Sequence, residues 1–267
     1  MKKLSLLLCA SFFSGAAFAN ETITVGATPV PQSDLLKCAK PVLAKQGYDL
    51  KITEFSDYVT PNLALSQKQL DANFFQHKPY LDQYNKDHKT DLIALVKVHI
   101  EPMGIYANPK TEANLIKSKK AADTLKGSKV GVPNDPTNEG RALNLLQANG
   151  IIKIKPGVAY PTKKDIAENP YGVKIVELDP AMLPRSLKGN QLDLAVINSN
   201  FALTAGMQPT KDALFIETKD NPFANIVVIR PDEANLPKIK ALGTAMNSPA
   251  VKQCIVTKYN GQIIPAF

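Results

Sequence analysis

Val25-Gly26-Ala27-Thr28-Pro29 and Val130-Gly131-Val132-Pro133-Asn134 are the stretches on which the fold turns. Each is a β-prone run closed by proline and followed by a helical pattern. A second pair of stretches keeps the order. Gln69-Leu70-Asp71 precedes Ala72-Asn73-Phe74-Phe75, and Gln191-Leu192-Asp193 precedes Leu194-Ala195-Val196-Ile197. The two spacings are 105 and 122 residues, so the chain reads as two similar α/β units in tandem. Strands alternate with helices through both, which predicts mostly parallel sheets flanked by helices.

Working outward, strands are predicted over 22–27, 50–55, 71–75, 92–98, 129–132, 173–178, 194–197, 214–217 and 226–229. Helices are predicted over 33–46, 61–67, 79–89, 137–148, 236–246 and 249–259. Ser33 is a candidate N-cap and Pro41 a defect inside the first helix. In open α/β sheets a ligand sits beyond the carboxyl ends of the strands. Two such sheets facing one another place those ends around one cleft. Gln76 and His77 in one unit, and Asn198 and Ser199 in the other, are therefore site candidates.

The N-terminus reads as a targeting segment. Lys2 and Lys3 precede a ten-residue apolar run from Leu4 to Phe13, too short to span a bilayer. Ala17-Phe18-Ala19 then gives an A-x-A pattern, which predicts cleavage between Ala19 and Asn20. Cys9 follows Leu6-Leu7-Leu8 rather than small residues, which argues against lipid attachment there. The expected destination is the bacterial periplasm, as a soluble mature chain. Cleavage leaves only Cys38 and Cys254, an even number in an oxidising space; a bridge between the first and last helices is expected, against the alternative of two buried thiols.

Net charge is +8, yet 29 of the 32 basic residues are lysine and only Arg141, Arg185 and Arg230 are arginine. Base readout favours arginine, so the charge reads as a solvated surface and no nucleic-acid partner is expected. His77, His88 and His99 are eleven residues apart, without metal-ligand spacing. Neither G-x-S-x-G nor a Walker A motif occurs. No enzymatic activity, cofactor or metal is expected.

Three groups of residues suit a small zwitterion. Asn134-Asp135-Pro136-Thr137-Asn138-Glu139-Gly140-Arg141 joins a strand to a helix start, where free N–H groups and Arg141 suit a carboxylate; a capped helix with a surface arginine is the alternative. Phe75, His77 and Tyr80, with Tyr58, form an aromatic set for an apolar side chain, unless they are ordinary core. Asn198 and Asn225 offer donor and acceptor together, though asparagine is also common in turns.

These stretches resemble the methionine-binding lipoprotein family, the NlpA-type substrate-binding proteins of methionine ABC importers. The carriers are Asp57-Tyr58-Val59 with Pro61-Asn62, Asp71 to His77 with Pro79-Tyr80-Leu81, Ile100 to Tyr106, Val132 to Asn138, Glu168-Asn169-Pro170, Leu183 to Leu187 and Ala195 to Asn198. The resemblance implies a two-lobed periplasmic binding-protein fold and hinge closure on an amino acid. It implies Tyr58, Phe75, His77 and Tyr80 around the ligand side chain, Arg141 on the α-carboxylate with Asn138 nearby, and Asn198 and Asn225 on the backbone groups. The partners implied are L- or D-methionine and a membrane ABC permease; another small amino acid or a methionine-containing dipeptide is the alternative cargo. The chain then divides into a signal peptide at 1–19, a first lobe from 20–107 and 224–267, and a second lobe at 108–223. Crossings are expected near Tyr106 to Pro109 and Asn221 to Asn225. The family commonly carries a lipobox, which this chain replaces with the A-x-A site.

Overall fold

Ile23, Val25 and Ala27 lie fully buried along β1 (Glu21–Ala27), the strand around which the first sheet is built. The computed structural model describes residues 20–118, 124–218 and 221–267; the targeting segment, Cys9 and Ala19 lie outside them. β1 pairs in parallel with β2 (Tyr48–Glu54) and with β3 (Ala72–His77). Between them run α1 (Asp34–Ala44) and α2 (Thr60–Ser66), and α3 (Lys78–His88) follows β3. β4 (Ile93–Ile100) completes the first pass.

The chain then enters a second sheet through β5 (Gly104–Ala107) and continues through α4 (Pro109–Ser118), β6 (Lys129–Pro133) and α5 (Pro136–Ala148). A small hairpin-like pair, β7 (Lys153–Ile154) and β8 (Ile166–Glu168), precedes β9 (Lys174–Leu178) and α6 (Leu183–Lys188). β10 (Leu194–Ile197), α7 (Ser199–Thr204), α8 (Pro209–Asp212) and β11 (Phe215–Ile216) end this half. The chain returns as β12 (Ala224–Ile229), α9 (Pro237–Met246), α10 (Pro249–Tyr259) and β13 (Ile264–Pro265). The first sheet has the order β13-β4-β12-β3-β1-β2 and the second β11-β5-β10-β6-β9.

The repeated sequences occupy equivalent places. β1 and β6 are flanked in parallel by β2 and β3, and by β9 and β10. The helix before each Gln-Leu-Asp stretch has Pro61 or Pro184 as its second residue, and the turn after it passes through a left-handed residue, Lys68 (φ 61°) or Asn190 (φ 56°). The Gln69 N–H then donates to the Ala64 carbonyl (2.9 Å) and the Gln191 N–H to that of Ser186 (3.0 Å). Asp71 and Asp193 accept through their carboxylates from the backbone N–H of Thr24 (2.6 Å) and Lys129 (2.8 Å). Leu70 and Leu192 press on Gly26 and Gly131, where an added Cβ would meet a leucine methyl within 3.0 Å. One local design thus aims β3 and β10 at the same relative position beside β1 and β6.

Each sheet has its own core. In the first half Leu35, Leu36, Leu242, Val251 and Ile255 cover β1 and its neighbours. In the second, Leu143 and Leu146 pack on Ile105, Val130 and Val196. Cys38 on α1 and Cys254 on α10 form a disulfide with a Cα–Cα distance of 6.5 Å, beside the first core.

Three expectations change. The α/β architecture is present, but the sheets are mixed rather than mostly parallel. β12 runs antiparallel between β3 and β4, and β5 antiparallel between β10 and β11. These are strands adjoining the passages from one sheet to the other, and they re-enter against the parallel direction. The first passage is also earlier than 107/108: Gly104–Ala107 pairs with β10 and β11, so the chain changes sheets over 101–103. It returns between Ile216 and Ala224. Ser33 does not cap α1; its hydroxyl donates to Glu54 Oε1 at 2.6 Å.

Candidate functional site

The carboxyl end of β3 delivers Phe75, Gln76 and His77 to the face where the two halves meet. His77 is the N-cap of α3: its Nδ1 accepts the Tyr80 N–H at 3.2 Å. An accepting Nδ1 places the ring proton on Nε2, which lies 3.1 Å from Asn138 Oδ1 and donates to it. Burial, reinforced by the nearby Arg141 charge, lowers His77 to about 3; the imidazole is neutral at neutral pH. Tyr80 turns its hydroxyl to the Tyr58 carbonyl (2.8 Å), and Tyr58 donates across the cleft to Asn200 Oδ1 (2.6 Å). Tyr58, Phe75 and Tyr80 pack with ring centroids 5.7–6.0 Å apart, and Phe201 of the second half stands 5.0 Å from Tyr58. Burial pushes the phenols of Tyr58 and Tyr80 upward, so both stay protonated.

The second half supplies the polar wall. Asp135 caps α5 by accepting the Asn138 N–H at 2.9 Å, and both its oxygens take the Asn138 amide at 3.0 Å. Burial raises the Asp135 carboxyl against these hydrogen bonds. With its donors engaged, Asn138 presents Oδ1, which also accepts from Asn198 Nδ2 at 3.1 Å. Asn198 Oδ1 is left buried with no hydrogen-bond partner among the described residues. Such a group costs free energy until something donates to it.

Arg141, one turn into α5 and 5% exposed, points the other way along the same wall. Its Nε donates to Glu217 Oε1 (2.8 Å), and Nη2 to Glu217 Oε2 (2.5 Å) and to the Glu101 carbonyl (2.7 Å). The guanidinium lies 4.3 Å over the Phe223 ring. Nη1 makes no hydrogen bond among the described residues. Glu101 accepts from Gln32 (2.5 Å), His99 (2.6 Å) and the Asn200 N–H (3.0 Å), and Gln32 also donates to Asn225 Oδ1 (3.0 Å).

All eight candidates line one pocket: Tyr58, Phe75, His77, Tyr80 and Asn225 from the first half, and Asn138, Arg141 and Asn198 from the second. Gln76, Glu101 and Ser199 complete the lining of this narrow pocket. Among the described residues the arrangement has an aromatic end, an arginine edge with donors not engaged by the protein, and an orphaned amide acceptor. That is a complement to an apolar side chain, a carboxylate and an ammonium group. Sequence reasoning missed Glu101 as part of this wall, and missed Glu217, Asn200, Phe201 and Phe223 altogether. Isolated acids and aromatics in short elements carry no local signal; only their partners, often 70 or more residues away in the chain, give them meaning. Among the described residues no group of three or more His, Cys, Asp or Glu is placed to hold a metal ion, and no helix is long and apolar enough to cross a membrane.

Known proteins resemble this chain in sequence and fold. The family model described as NlpA lipoprotein matches residues 23–267. The D-methionine-binding lipoprotein MetQ of Salmonella typhi is 44% identical over 225 residues, 84% of this chain and 80% of that protein. The methionine-binding lipoprotein MetQ of Bacillus subtilis is 37% identical over 257 residues, 94% of this chain and 90% of its own. Among solved structures, a nutrient binding protein from Burkholderia cenocepacia bound to methionine superposes with a TM-score of 0.84 at 41% identity. That match covers 92% of this chain and all of the other (100%).

Proposed function

The chain belongs to the NlpA lipoprotein family, and from that premise we propose that it is the substrate-binding protein of an ABC importer, with methionine as its cargo. The observation that carries this reading is the pairing of unmatched groups in the cleft. Among the described residues Arg141 Nη1 makes no hydrogen bond, and Asn198 Oδ1 is a buried acceptor without a donor. An α-amino acid satisfies both at once: its carboxylate takes the guanidinium edge and its ammonium donates to Asn198. Tyr58, Phe75 and Tyr80 then receive a flexible, polarisable thioether side chain, for which aromatic edges are favourable partners.

The halves act as lobes, residues 20–100 with 224–267 and residues 104–216, hinged on the passages between them. Contacts from both lobes to one ligand stabilise the closed arrangement over the open one, which is how capture becomes a signal to a permease. The protein releases its cargo unchanged and works outside the cytoplasmic membrane, after cleavage between Ala19 and Asn20 and without lipid at Cys9. Mass spectrometry on natively purified protein tests these statements together. Denaturation is expected to release methionine, and the intact mass to begin at Asn20. A different amino acid or a dipeptide in the released fraction would replace methionine as the cargo, and a diacylglyceryl group on Cys9 would replace the soluble form with an anchored one.

A further inference from the structure

Among the described residues the chain passes between the two halves twice, over 101–103 and between Ile216 and Ala224; the Cys38–Cys254 disulfide lies within the first half. Glu217 sits on the second segment and holds it to the first. Its N–H donates to the Met103 carbonyl at 2.9 Å, and its Oε2 accepts the Met103 N–H at 2.8 Å. The same carboxylate takes Nε and Nη2 of Arg141, and that guanidinium reaches on to the Glu101 carbonyl. Phe223, also on the return segment, supplies the ring beneath it. Among the described residues, every hydrogen bond the Arg141 side chain makes therefore ends on one of the two connections. The pair is nearly enclosed, with side chains 4% and 12% exposed, so it lacks the solvent screening that makes surface ion pairs weak.

We infer that Glu217 is a positioning residue. It fixes Arg141 to both connections, so that the donor edge offered to the ligand and the angle between the halves are set by one joint. The inference rests on the cleft being the ligand site. A carboxylate that lands on Arg141, which lines the cleft, pulls on a group already clamped to the hinge through Nε and Nη2. An ordinary buried ion pair would stabilise the fold without linking the cleft to the hinge.

Glu217→Gln in the full mature chain separates the two. The amide keeps the volume and one acceptor, but loses the charge and cannot both accept the Met103 N–H and hold Arg141 at two points. The expected result is at least tenfold faster methionine dissociation in stopped-flow tyrosine fluorescence, with association within twofold of the parent. Small-angle scattering of the unliganded variant is expected to report a larger radius of gyration. Glu217→Asp, which keeps the charge on a shorter stem, is expected to fall between them and serves where the glutamine variant fails to fold. Glu168→Gln, which breaks an exposed pair with Lys153, is expected to change neither readout. A folded variant with parental dissociation and scattering overturns the inference. So does a lowered melting temperature alone, or weaker binding with an unchanged scattering profile, because then Glu217 props Arg141 without governing the hinge. If the parent itself does not bind methionine, the cargo assignment fails, and the scattering comparison of unliganded proteins still decides the joint.

Discussion

Arg141 and His77 show how far a single residue can be read. Arg141 stood out because arginine is scarce in this chain and the position follows a strand-to-helix junction; its bidentate partner Glu217 lies 76 residues away and is one of 24 acids, with nothing local to distinguish it. Arg141→Ala is expected to weaken methionine binding by about 2–4 kcal/mol, the loss of a buried charged donor. The same change strips Glu217 of its partner, so circular dichroism must establish folding before calorimetry is read; an unchanged dissociation constant in folded protein removes Arg141 from the site. His77 carries a pH signature. Its folded value near 3 lies below the ordinary 6.5, through burial first and the Arg141 charge second. Between those values the unfolded chain holds more protons than the folded one, so stability falls as pH drops from 6.5 towards 3 and is flat above. Asp135, whose carboxyl burial raises, acts in the opposite sense, because the folded state keeps its proton more tightly. His77→Gln is expected to flatten the decline in melting temperature between pH 6.5 and 4. Parallel curves for parent and variant would assign the decline to other groups.

Elements were legible where a β-prone run or a bounding Ser-Pro, Asn or Gly marked their ends. Helix α10, predicted over 249–259, has those bounds, and β10 matches 194–197. Legibility failed in short pieces without such marks. β5 is four residues long and opens on a glycine after Pro102, and α6 and α7 have six residues each, too few for an apolar stripe to declare itself. These elements exist because tertiary partners hold them, as Ser199 at the start of α7 is held by the Pro102 carbonyl. The internal repeat was the stronger guide, since it preserved a packing rule as well as a pattern. Gly131 in β6 leaves room for Leu192 and Leu183, as Gly26 in β1 does for Leu70 and Phe55. An added methyl must displace buried neighbours, and overpacking of this kind costs typically 1–3 kcal/mol. Gly131→Ala and Gly26→Ala are therefore each expected to cost about 1–3 kcal/mol in urea unfolding. A cost near zero at both would mean that the leucines swing aside and that the glycines are not fixed by this contact.

At the scale of the whole molecule, the expectation of two α/β units met a topology in which the first is split and the second is continuous. The first passage was misplaced because β4 and β5 are separated by only three residues, with no loop composition to mark the change of sheet. The disulfide belongs to the split unit, joining α1 to α10 across 216 residues of sequence. Loop entropy assigns roughly 5 kcal/mol to so long a closure, and measured gains are often smaller. Reduction is expected to lower the melting temperature while methionine affinity stays within about twofold, because neither cysteine lines the cleft or the passages. A parallel loss of affinity would place the bridge in the path of closure. The continuous unit has a different consequence. Its entry and exit, Met103 and Glu217, are hydrogen-bonded to each other through both backbone and side chain, and it owns a separate core. A genetic cassette that starts and stops at adjoining points can be lifted out or exchanged between homologues with only a short splice at the scar. Grafting a relative's cleft wall onto this protein's disulfide-tied base is thus a matter of two junctions.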